Sequence, residues 1–141
     1  MRRAIFGGTF NPIHWGHLLM AETALSQFNL HQVIWVPTYR PFYKSSTELL
    51  AFHHRLEMVQ RAIASHPHFT VFTSEQSHPD AAYAIHTLLE LQLFYPNSQW
   101  YWIIGLDAFQ SLPRWHRRQE WIEQCDWLVA PREVGGVGDG G

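Results

Sequence analysis

Short apolar runs alternate with stretches of helical spacing along most of this chain. Within residues 3–6 the apolar run Ala4-Ile5-Phe6 is closed by Gly7-Gly8, and residues 33–36 (Val-Ile-Trp-Val) form a second that stops at Pro37. Both read as buried strands, because a strand covered on its two faces shows continuous rather than alternating apolar residues. Residues 69–73 alternate as a third strand, 101–104 form a fourth ended by Gly105, and 127–129 a fifth. Between them, Leu18, Ala21, Leu25 and Phe28 predict a helix over 16–28, and Leu56, Val59 and Ile63 one over 52–64. Residues 83–94 predict a third helix stopped before Pro96, and 116–124 a further short one. Residues 38–50 and 74–81 read as connections.

This order predicts an α/β fold, a doubly wound, Rossmann-like parallel sheet of about five strands. Ligands of such sheets bind beyond the carboxyl ends of the strands, so the loops after strands one, two and four are where function is expected. One domain is expected over 1–133. Residues 134–141, with five glycines, fit neither a strand nor a helix of this fold and read as a disordered tail.

Composition narrows the function classes. The 141 residues carry a net charge of −2, which gives no reason to expect a nucleic-acid or membrane partner and leaves phosphate chemistry to a local site. Charged residues are 16% and aromatic ones 15%, with seven Trp, so some rings are expected to face a ligand, a partner or further protein, and a homo-oligomer fits. Cys125 is the single cysteine, forms no intramolecular disulfide and is expected simply to pack. The run Ala4-Ile5-Phe6 is too short for a secretion signal and no stretch approaches a membrane span, so the expected location is cytoplasmic.

The chemistry concentrates in Gly7-Gly8-Thr9-Phe10-Asn11-Pro12-Ile13-His14-Trp15-Gly16-His17. The string is neither a GxxxxGK[ST] nor a GxGxxG loop. Its glycines let backbone N–H groups approach a ligand, and His14 and His17 flank a helix N-terminus, which favours an anion. Alone, two histidines so spaced more often form a structural pair bonding backbone at a tight turn; a metal pair lacks a third ligand nearby.

The whole string resembles the GxFxPxHxGH signature of the HxGH nucleotidyltransferase superfamily. Other segments resemble nicotinate-nucleotide adenylyltransferases within it. Val36-Pro37 followed by Arg40-Pro41-Phe42-Tyr43-Lys44 resembles that family's VP…RPPHK segment, with Phe and Tyr where Pro and His are usual. Arg55-Leu56-Glu57-Met58 resembles its RxxM helix, although an ordinary helix-surface charge is the default for Arg55. Tyr83 with Thr87-Leu88 resembles its SYTxxTL helix, with Ala82 and Ala84 replacing hydroxyl residues. Ile103-Ile104-Gly105-Leu106-Asp107 and Pro113-Arg114-Trp115-His116-Arg117 resemble its IIGxD…PxWxR block.

The resemblance spans residues 3–132 and implies transfer of AMP from ATP to nicotinate mononucleotide, with Mg²⁺ bridging the phosphates. It implies His14 and His17 as the catalytic pair. It places Gly7, Gly8, Thr9, Phe10, Gly16, Lys44, Gly105 and Asp107 around ATP and its phosphates, and Tyr83, Thr87, Trp115 and Arg117 around the mononucleotide, with Trp115 stacking on the pyridine. Arg132 follows the fifth strand near the site. The family's later ISxTxxR-type motif is absent from this sequence, so the expected sheet is C-terminally incomplete. Two other classes stay open: another superfamily member (a pantetheine-phosphate adenylyltransferase or a cytidylyltransferase), and a non-catalytic nucleotide- or partner-binding fragment.

Overall fold

Ala4, Ile5 and Phe6 are all buried, although successive side chains of a strand point to opposite faces. Ile5 joins a core cluster with Ile34, Trp102, Leu88 and Leu91, whereas Ala4 and Phe6 join another with Trp35, Ala21, Val59 and Ile63. The central strand therefore separates two cores, and helices are needed on both faces.

The computed structural model describes residues 1–38, 50–73, 83–105 and 125–130. In chain order the elements are β1 (Arg2–Gly8), α1 (Trp15–Gln27), β2 (Gln32–Pro37), α2 (Phe52–Ile63), β3 (Phe69–Val71), α3 (Tyr83–Phe94), β4 (Gln99–Gly105) and β5 (Asp126–Ala130). The strands form one sheet in the order β3-β2-β1-β4-β5, and every neighbouring pair is parallel. α1 and α2 cover the face of Ala4 and Phe6, and α3 covers that of Ile5. The doubly wound α/β expectation holds.

Several boundaries differ from the sequence reading. β1 runs through Gly7 and Gly8 instead of stopping at Phe6; they pair with Val36 and Pro37, and Gly8 O accepts the Thr38 N–H at 2.9 Å. β3 stops at Val71, two residues short of the alternation: Phe69, Thr70 and Val71 pair with Val33, Ile34 and Trp35, and the Phe72 N–H adds a last bond to Trp35 O at 2.9 Å. On α1 the buried positions are Ala21 and Ala24, small enough to bring the helix close to the sheet, with Leu18 and Leu25 partly buried. Phe28, expected on that face, is the C-cap and is 38% exposed. Asn29 (φ 52°) and the Leu30 N–H to Leu25 O bond then close the helix end.

Among the described residues, three tryptophans belong to the core. Trp35 and Trp102 are fully buried and Trp100 nearly so, while Trp15 is exposed. The connections at 39–49 and 74–82, the expected helix at 116–124 and the glycine-rich 134–141 lie outside the described residues. Among the described residues no helix is long and apolar enough to cross a membrane.

Candidate functional site

From β1 the sheet continues through β2 to β3 on one side and through β4 to β5 on the other, so the order reverses between β1 and β4. Their carboxyl ends flank the crevice where such sheets take ligands. Continuing the β1–β4 register past Phe6↔Ile103 brings Gly8 level with Gly105. A Cβ placed on Gly105 meets nothing within 4 Å.

At Gly8 the constraint is tight. A Cβ there would stand 3.1 and 3.2 Å from two ring carbons of Phe10. Phe10 has the left-handed φ of 50°, which folds its ring back over Gly8 and into the core at 2% exposure. The ring packs edge-on against Phe6 (5.4 Å) and His17 (5.0 Å) and tilts against Trp35 (5.4 Å). Phe10 thereby links the sheet to the imidazole of His17. Thr9 is buried, and its Oγ1, like that of Thr38 after β2, has no partner among the described residues. Buried hydroxyls without partners are acceptors and donors open to water or ligand.

His14 is the N-cap of α1 and His17 its third residue. The Gly16 N–H donates to His14 Nδ1 at 3.0 Å, and the His14 N–H donates to His17 Nδ1 at 3.0 Å, a reciprocal capping box built from two imidazoles. The rings stack with centroids 3.9 Å apart. Because each Nδ1 accepts a backbone N–H, the neutral ring carries its proton on Nε2. The structural role of this pair therefore uses Nδ1 alone: it finishes the helix and leaves Nε2–H as a donor. The first turn of α1 carries no acidic residue, so nothing of its own charge opposes an anion at the positive end of the helix dipole.

The residue that sequence reasoning undervalued is Arg55. It is a fully buried side chain on the inner stripe of α2 with Val59 and Ile63, not a surface charge. Its Nη1 donates to Thr9 O at 2.8 Å and Thr38 O at 2.6 Å, and its Nε to Leu50 O at 2.8 Å. The Phe52 ring lies 5.5 Å from the guanidinium. Burial pulls its pKa below the ordinary arginine value, yet carbonyl oxygens offset the lost hydration and keep the group cationic. Asn11 Oδ1 accepts the Leu50 N–H at 2.9 Å, a second tie between the glycine loop and the entrance of α2. The signal was available: positions 55, 59 and 63 are spaced by four.

The structure thus brings Gly7, Gly8, Thr9, Phe10, His14, Gly16 and His17 together, with Gly105 across the crevice. Thr87 is buried on α3, next to Leu88 of the core. Tyr83 opens α3, but its side chain, like Lys44, Asp107, Trp115, Arg117 and Arg132, lies outside the described residues. Cys125 is buried, and burial, reinforced by the Asp126 charge, pushes its thiol up to about 12, so it packs as expected. His31 and His66 each accept a nearby backbone N–H through Nδ1, and His66 also pairs with Glu22 at 2.7 Å.

The cytidylyltransferase-like family model matches residues 5–137. The chain belongs to the cytidylyltransferase-like family. Among curated relatives it is 56% identical over 133 residues to a Trichormus variabilis protein named as a nicotinate-nucleotide adenylyltransferase, covering 94% of this chain and 62% of that one. A Gloeobacter violaceus protein of the same name is 42% identical over 136 residues, covering 96% and 66%. The chain therefore spans about 62% of the length of the first of these family members. Among solved structures, the Plasmodium falciparum nicotinic acid mononucleotide adenylyltransferase complexed with NaAD matches with a TM-score of 0.75 at 20% identity, over 93% of this chain and 64% of that one, a likeness of fold. A Vibrio parahaemolyticus protein described as a nicotinate-nucleotide adenylyltransferase matches with a TM-score of 0.69 at 25% identity, over 95% and 76%.

Proposed function

We propose that this chain carries the catalytic half of an adenylyltransferase that transfers AMP from ATP to nicotinate mononucleotide, giving deamido-NAD and pyrophosphate. The observation that carries the reading is the imidazole pair at the start of α1, each ring held by its Nδ1 with Nε2–H as donor. The names of relatives at 42% and 56% identity supply the substrates.

A phosphate oxygen of the mononucleotide attacks the α-phosphorus of ATP, and the bond to the bridging oxygen of the β-phosphate breaks. Pyrophosphate takes that electron pair and leaves. No covalent enzyme intermediate is needed, so catalysis is positioning and charge stabilisation. His14 and His17 meet the charge that builds on phosphate oxygens, and one such preorganised donor is commonly worth about 3 kcal/mol. The N-terminus of α1 and the backbone of 7–10 add fixed dipoles aimed at the same charge. Mg²⁺ would arrive on the triphosphate as part of the substrate. Trp115 supplies the stacking face for the pyridine. These substrates suit the cytoplasm.

Titrating the chain with Mg·ATP and with nicotinate mononucleotide tests the reading. Both bind, and Trp115→Ala weakens the mononucleotide by about 1–2 kcal/mol while leaving ATP nearly unchanged. Binding of ATP alone, with no response to the mononucleotide at millimolar concentration, points to another nucleotidyltransferase.

A further inference from the structure

Three segments meet on one side chain. Thr9 follows β1, Thr38 follows β2 and Leu50 precedes α2, and the carbonyl of each accepts from Arg55 at 2.6 to 2.8 Å. The peptide between Thr9 and Phe10 is planar, so its C=O and N–H point in opposite directions. With Thr9 O drawn to the buried guanidinium, the Phe10 N–H is directed away from Arg55. The same plane precedes the left-handed φ of Phe10, whose ring sets His17. Asn11 closes the ring of bonds through the Leu50 N–H.

We propose that Arg55 is a positioning residue for phosphate binding: by joining the exits of β1 and β2 to the entrance of α2, its guanidinium holds residues 9–11 in the geometry that receives a nucleotide phosphate. The proposal rests on the adenylyltransferase reading of that loop. The fork of the guanidinium is essential, because Nε serves Leu50 O while Nη1 serves Thr9 O and Thr38 O, and the single nitrogen of an ammonium cannot stand in both places.

The test compares wild type, Arg55→Lys and Asn11→Ala by amide hydrogen exchange and by titration with Mg·ATP. In Arg55→Lys the amides of Thr38 and Leu50, bonded to Gly8 O and Asn11 Oδ1, exchange at least tenfold faster. The Val33 amide, bonded to His68 O at the far end of β2, keeps its rate. The dissociation constant for ATP rises at least tenfold. Asn11→Ala, which severs one exposed bond, folds and raises it about threefold. Faster exchange with ATP affinity within twofold of wild type makes Arg55 merely structural and overturns the proposal; so does unchanged exchange. Where Arg55→Lys does not fold, Asn11→Ala decides: faster Leu50 exchange with unaltered affinity overturns it. A wild-type chain that does not bind ATP fells the adenylyltransferase reading as well, a different outcome from a bound wild type with an indifferent variant.

Discussion

His14 and His17 stack at 3.9 Å and cap one helix between them, each accepting a backbone N–H of the same turn. A cap and a ligand donor normally compete for one side chain; an imidazole has a second nitrogen that capping leaves unused.

That division of labour is separable by substitution. Asparagine is a favoured N-cap and retains an acceptor, but it places no donor where Nε2 stands. His14→Asn should therefore keep its unfolding free energy within about 0.5 kcal/mol of wild type, whereas His14→Ala should lose about 1 kcal/mol. Both should bind ATP at least tenfold more weakly by titration. Full affinity in His14→Asn would remove His14 from the phosphate site.

The Gly8 position predicts a packing conflict. Gly8→Ala puts a methyl group 3.1 Å from the Phe10 ring, and the ring cannot retreat without disturbing Phe6, Trp35 and His17. Urea unfolding should show a loss of about 1–3 kcal/mol, the usual range for overpacking. Adding Phe10→Leu should recover part of that loss; additive losses would place the strain elsewhere.

Alkali should destabilise the fold through Cys125. Its thiol is pushed up to about 12 from 9.0 by burial and the Asp126 charge, so the native state retains a proton that the unfolded chain gives up. The contribution is complete below pH 9 and is lost as pH rises from about 9 toward 12. Unfolding curves of wild type should converge on those of Cys125→Ala across that window. Parallel pH profiles for the two proteins would show that the thiol is not linked to stability.

Much of this architecture was legible because its strands are buried on both faces and its helices are not. Continuous apolar runs at 33–36 and 101–104 marked β2 and β4, and the bounds of α3 were read as they stand. Some of the aromatic rings were expected to face a ligand, a partner or further protein, and composition could not say which; Trp35, Trp100 and Trp102 fill cores. Nothing in composition separates a ring packed on a sheet from one waiting for a ligand. Glycine as a strand terminator misled at Gly7-Gly8, where a parallel ladder needs only backbone partners and β2 provides them as far as Pro37.

The site was legible as a string and obscure as an assembly. The positions from Gly7 to His17 stood out through their spacing, whereas Arg55 carries its role through bonds to carbonyls, which any sequence supplies everywhere. Its helical position was the available sign, since a cation in line with Val59 and Ile63 faces inward. The exposure of Trp15 has no such sign, and nothing in the described structure explains it.

Arg55 also separates two design problems. Thr38 and Leu50, the residues on either side of 39–49, rest on one guanidinium, so the two feet of that segment are fixed whatever joins them. Doubling the length of a flexible connection costs only about 0.6 kcal/mol in closure entropy. Insertions and exchanges between the feet should therefore be tolerated as a cassette, letting the stretch that carries Lys44 diversify while residues 9–11 stay put.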